Sequence, residues 1–90
     1  MKSAFITGAN RGLGYGFVEH LLSKNFTVFA GTRTLTDTLP KHENLIWIQC
    51  DVTDDKSIDS AVREIQSKTN SLNYLINNAG VNKDSIPEKK

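Results

Sequence analysis

Apolar residues recur along the chain with two periods, and the switches between them mark off six elements. Ala4-Phe5-Ile6 is a continuous apolar run within Ser3 to Thr7, bounded by Gly8, which suits a short parallel strand buried on both faces. From Gly12 to about Lys24, the residues Leu13, Phe17, Val18, Leu21 and Leu22 fall on one stripe of a helix with about 3.6 residues per turn. Asn25 follows, a residue type that closes helices in the left-handed conformation. Thr27 to Thr32, Leu45 to Cys50 and Tyr74 to Asn77 are rich in β-branched, aromatic or aliphatic types and predict three more strands. Between the second and third strands, Thr34 to Asn44 carries Pro40 and several turn-forming Thr, Asp and Asn residues, leaving room for at most about one helical turn. Asp55 to about Thr69 predicts a second helix with Ile58, Ala61, Val62 and Ile65 on its apolar stripe. Thr53 or Asp54 can cap it, and Asp54, Asp55 and Asp59 stand where a helix dipole favours negative charge.

The element order β-α-β-β-α-β, with near-continuous apolar strands, predicts an α/β fold whose parallel sheet is wrapped by helices on both faces. Right-handed crossovers give the strand order 3-2-1-4. The order reverses between the first and fourth strands, and a ligand crevice is expected there at the strand C-terminal ends.

Composition narrows the class. Ninety residues suffice for one core and not two, and 38% hydrophobic with 23% charged residues is ordinary for a soluble globular chain. A net charge of +1 offers no footprint for nucleic acid or an anionic membrane. No stretch approaches a transmembrane span, and the first strand begins within three residues of Met1 without a signal-like run, so a cytoplasmic location is expected. The single Cys50 reads as a small buried side chain, and His20 and His42 as surface residues with no partner at metal-ligand spacing. No metal site is expected.

Gly8, Gly12 and Gly14 sit where the first strand turns into the first helix. A helix N-terminus presents unsatisfied N–H groups and about half a positive charge, so a pyrophosphate there gains hydrogen bonds and a favourable field. On their own, these glycines could instead make no more than a tight strand-to-helix turn. Gly14 and Gly16 each cost about 1 kcal/mol relative to Ala inside a helix, so close backbone approach is expected at one of them at least.

Thr7-Gly8-Ala9-Asn10-Arg11-Gly12-Leu13-Gly14 after an N-terminal strand, Asp51-Val52 after the third strand and Asn77-Asn78-Ala79-Gly80 after the fourth together resemble the short-chain dehydrogenase/reductase family. The glycine phrase looks most like its carbonyl-reductase and C-factor-like members. The resemblance spans nearly the whole chain but only the family's first half. It implies a truncated Rossmann-type doubly wound sheet, with residues 1–80 as the cofactor-binding N-terminal half and 81–90 as a tail. It also implies a cofactor site made of Gly8, Asn10, Arg11, Gly12, Leu13, Gly14, Arg33, Asp51, Val52, Asn78, Ala79 and Gly80. There the glycine loop would hold pyrophosphate and ribose, with Leu13 giving a main-chain contact. Asp51 would accept from the adenine amino group, Val52 would pack on the ring, Asn78 to Gly80 would line the adenosine side, and Asn77 would tie the fourth strand to the sheet. From the residues alone, Asp51 could instead cap the following turn, and Asn77 to Gly80 could be turn chemistry.

The cofactor choice rests on the second strand's exit. A carboxylate about 20 residues beyond the glycine loop would bond the adenosine ribose and repel a 2′-phosphate. Here Thr32-Arg33-Thr34 occupies that place with no acid until Asp37, and Arg11 stands just before Gly12. Two guanidinium groups favour NADP(H) over NAD(H). Full family members exchange hydride between cofactor and a carbonyl/alcohol pair, using a Tyr whose pKa is lowered by a Lys four residues on. In this chain Glu19 follows Tyr15 and Asn78 follows Tyr74 at that spacing, so no catalytic residue is assigned and the chain alone is expected to be inactive. A small carbonyl substrate is expected only in a longer form, and the outer edge of strand four is open to self-association. A non-catalytic NADP(H)-binding or sensing module and a non-functional truncated remnant remain as alternatives.

Overall fold

Chirality of the crossovers fixes the architecture. In the computed structural model, which describes residues 2–78, the chain runs β1 (Ser3–Ile6), α1 (Gly12–Ser23), β2 (Thr27–Thr32), β3 (Leu45–Gln49), α2 (Asp55–Lys68) and β4 (Tyr74–Ile76). The strands pair in parallel in the predicted order β3-β2-β1-β4. In register, Phe5 stands beside Phe29 on one side and Leu75 on the other, and Phe29 stands beside Ile46.

Alternation along the strands then fills both faces of the one sheet, so that the core has two layers. Phe5, Phe29 and Ile48 project to one side and meet Cys50, Ala61 and Ile65, with Ile46, Val52 and Ile58 packed around them. Ile6, Val28, Ala30 and Leu45 project to the other and meet Ala9 and Val18, with Tyr15, Phe17, Leu21 and Trp47 around these. Each face thus has its own helix: α2 on the first and α1 on the second. Among the described residues no helix is long and apolar enough to cross a membrane.

Helix ends follow their local chemistry. Asn25 takes φ 66° and closes α1, its N–H bonding Leu22 O while Phe26 N–H bonds Leu21 O. At the start of α2, Asp54 Oδ1 accepts from Lys56 N–H at 3.0 Å, so Asp54 rather than Thr53 is the cap, with Asp55 in the first turn.

Two sequence expectations need correction. Leu13 is 70% exposed and does not join the core stripe of α1, because the helix's first turn forms the wall of a cleft rather than lying on the sheet. Burial on both faces holds for β1 and β2 but not for β4, where Tyr74 and Leu75 are exposed. β4 pairs with β1 alone, so its other edge has no neighbour among the described residues. Beside it, Phe5, Ile58, Val62, Ile65, Leu72 and Leu75 line an apolar groove of about 410 Å³ between α2 and the sheet.

Candidate functional site

The β1-to-α1 turn is built to leave a helix end bare. Gly8 and Gly12 adopt φ of 60° and 61°, a left-handed conformation that favours glycine. The backbone between them is drawn onto the sheet by Ala9 N–H donating to Gly31 O at 2.8 Å. Gly31 had no assigned role in the sequence, yet a Cβ there would stand 3.1 Å from the Phe5 ring and 3.2 Å from Ile6 O.

Arg11 precedes α1 in extended conformation, with no side-chain hydrogen bond to the helix and no acidic residue in the first turn. α2, by contrast, has its N-terminus capped by Asp54. The amino end of α1 therefore keeps N–H groups and a positive field that no side chain of its own neutralises, as binding of an anionic group requires.

Gly14 supplies the close approach expected of a helical glycine. A Cβ there would collide with Gly8 O and stand 2.7 Å from Asn78 Nδ2. Asn78 Nδ2 itself donates to Gly8 O at 3.1 Å, joining the exit of β4 to the glycine loop. Thr7 Oγ1 donates to Asn77 Oδ1 at 3.0 Å, so Asn77 ties the end of β4 to the end of β1. Gly16 has nothing within 4 Å of its Cβ direction and gains no such contact.

These pieces open onto one cleft of about 990 Å³ at the C-terminal ends of the strands. Of the residues singled out in the sequence, Gly8, Asn10, Arg11, Gly12, Leu13, Arg33, Val52 and Asn78 line it together. Gly14 lies buried behind the wall rather than in it. Ala79 and Gly80 lie outside the described residues.

Asp51 does not line the cleft, although Cys50 and Val52 on either side of it do. Its Oδ1 accepts from the Thr53 N–H at 3.0 Å and the Thr53 hydroxyl at 2.7 Å, which is the turn-capping alternative. The Thr53 hydroxyl, then the Thr53 N–H, hold its carboxyl below the usual carboxylate range, with a smaller push from the Arg33 charge. The Cys50 thiol is pushed above its ordinary value by burial and then by Asp51.

The sequence reading missed much of the far wall. Thr32, Thr34, Thr36, Thr38, Leu39 and Pro40 all line the cleft, so the segment after β2 is part of the site rather than a plain connection. Its run of hydroxyl-bearing residues directly behind Arg33 was the available signal.

The sequence and the fold are similar to those of known proteins. The family profile described as short chain dehydrogenase matches residues 2–89. A short chain dehydrogenase/reductase of Gibberella zeae, dpfgH, is 34% identical over 92 residues, covering 89% of this chain and 26% of that protein. The short chain dehydrogenase of Leptospira borgpetersenii, solved with bound NAD+, superposes with a TM-score of 0.75 at 29% identity, covering 89% of this chain and 32% of that one. ElxO with NADP bound superposes with a TM-score of 0.79 at 26% identity, covering 93% and 37%. The chain thus spans between about a quarter and two fifths of the length of the relatives and structures it matches. It belongs to the short-chain dehydrogenase/reductase family of oxidoreductases, and its sheet is a nucleotide-binding Rossmann sheet covering part of that fold.

Proposed function

We propose that this chain is the NADP(H)-binding N-terminal half, residues 1–80, of a carbonyl-reductase-like enzyme that transfers hydride between NADP(H) and a carbonyl/alcohol pair. The observation that carries the reading is the bare amino end of α1 facing the same cleft as Arg11 and Arg33. A pyrophosphate suits N–H groups left without a side-chain cap, and Gly8 and Gly12 let the backbone approach it, while Gly14 lets α1 pack against the glycine loop. A 2′-phosphate suits guanidinium groups, which bind it through paired charge-assisted hydrogen bonds. Bound NADP(H) supplies or accepts the hydride. Val52 and Asn78 then flank the adenosine portion, and Asp51 holds the turn that presents Val52.

The groups that would move a proton to the substrate oxygen are not among these 90 residues, since Glu19 and Asn78 stand where a Lys would follow Tyr15 and Tyr74. The chain on its own therefore binds cofactor without turning over a carbonyl. Self-association through the outer edge of β4 accompanies this, because Leu72, Tyr74 and Leu75 are exposed beside it.

Titration calorimetry of the 90-residue chain tests the reading. NADP+ is expected to bind tighter than NAD+ by roughly tenfold or more, the scale of one hydrogen bond to a charged group. Absence of binding by either nucleotide, or tighter binding of NAD+, would refute it.

A further inference from the structure

We infer that Trp47 and Gln49, which do not line the cleft, are positioning residues that set the preference for a 2′-phosphorylated nucleotide by pinning the loop of residues 33–44. This rests on the NADP(H) reading above. The loop supplies the cleft wall at Arg33, Thr34, Thr36, Thr38, Leu39 and Pro40. It contains no helix or strand, so its shape must come from elsewhere. Ordering such a segment costs backbone entropy at every residue, and an untied loop could not hold Arg33 at a fixed place.

β3 provides the ties. Trp47 Nε1–H donates to Pro40 O at 2.8 Å, and Gln49 Nε2–H donates to Arg33 O at 3.2 Å. The two residues are two apart in one strand, so they project to the same face and hold the loop at both its phosphate-facing start and its returning limb. Trp47 is itself packed against the core on the α1 face, which makes its indole a rigid post. At the loop's start, Thr32 Oγ1 at the end of β2 donates to Thr34 O at 3.3 Å, and within the loop the Thr36 and Thr38 hydroxyls are hydrogen-bonded at 3.0 Å.

The glycine loop has a separate support in the Ala9–Gly31 and Asn78–Gly8 bonds. Loosening the β3 ties should therefore disturb recognition of the 2′-phosphate and spare that of the 5′-phosphate.

The test compares adenosine 2′,5′-bisphosphate with 5′-AMP by calorimetry on the full 90-residue chain and on Trp47→Phe and Gln49→Met. Each variant removes one donor and keeps most of the side-chain volume. The preference for the bisphosphate should fall about fivefold to tenfold in each variant, the scale of one hydrogen bond, while 5′-AMP affinity stays within about twofold. A preference unchanged in Gln49→Met, or equal losses for both ligands, overturns the inference. Gln49 is exposed, so that variant decides the matter even if Trp47→Phe loses its fold. Wild-type chain that binds both ligands equally refutes the NADP(H) reading and this inference together. Wild-type preference with unchanged variants sinks the inference alone.

Discussion

Alanine at Gly14 and alanine at Gly16 should move stability in opposite directions, although both sit in α1 and both relieve the same backbone penalty. Replacing a mid-helix Gly by Ala gains about 1 kcal/mol from reduced chain entropy and better propensity. At Gly16 nothing lies within 4 Å of the new methyl, so that gain should appear almost whole. At Gly14 the methyl would strike Gly8 O, come within 2.7 Å of Asn78 Nδ2 and stand 3.1 Å from Ala9 Cα. Two of these neighbours are backbone and cannot swing aside. Overpacking of this kind costs about 1–3 kcal/mol, and losing the Asn78–Gly8 hydrogen bond adds about 1 kcal/mol. The net expectation is a loss of about 1–3 kcal/mol for Gly14→Ala against a gain of up to about 1 kcal/mol for Gly16→Ala. In a chain of this size each kcal/mol moves Tm by about 4–8 °C, so thermal melts followed by circular dichroism would separate the two variants. A Gly14→Ala protein that melts at or above the wild-type temperature would refute the placement of α1 against the glycine loop.

Three further outcomes are expected. Arg33→Asp should weaken NADP(H) binding at least tenfold while sparing NAD(H); equal losses by calorimetry would show that Arg33 does not read the phosphate. Asp54→Ala should cost about 1 kcal/mol through loss of the bond to Lys56 N–H, with Asp54→Asn restoring most of it in urea titrations, and an unchanged midpoint would remove Asp54 as the cap of α2. Cys50, buried and with its thiol raised, should resist iodoacetamide in the native protein and react freely in concentrated urea. Because the folded value lies above the unfolded one, the protonated thiol's contribution to stability is present below the unfolded value and is lost as pH rises through the folded one. Native labelling as fast as in urea, or a urea midpoint with no alkaline decline, would contradict this placement.

Elements whose residues face one another across a regular repeat were legible in the sequence. The stripe of Ile58, Ala61 and Ile65 in α2 declared a face, the near-continuous apolar run of β2 marked a strand buried on both, and handedness then ordered the strands. What escaped was decided by contacts distant along the chain. Leu13 fits the α1 stripe by spacing, and only the position of the sheet beneath that helix leaves it outside the core. The threonines of residues 33–44 read as turn formers, and their place in the cleft depends on donors from β3. Asp51 carried two readings, and the capping one is local, made with the Thr53 hydroxyl two positions away. Among the residues lining the cleft, Gly8, Gly12 and Arg11 were legible because a strand-to-helix turn constrains them within a few residues.

β4 meets β1 through partners about 70 positions apart, as in the Asn78–Gly8 and Asn77–Thr7 pairs. Closing so long a loop is entropically slow, whereas β1, α1 and β2 are near neighbours along the chain. The last strand should accordingly join late during folding and detach first in native-state fluctuations, since it has only three residues and exposed side chains. Amide hydrogens of Leu75 and Ile76 should thus exchange faster than those of Phe29 and Ala30. A nucleotide spanning the glycine loop and Asn78 would act as a clasp on this strand and slow that exchange.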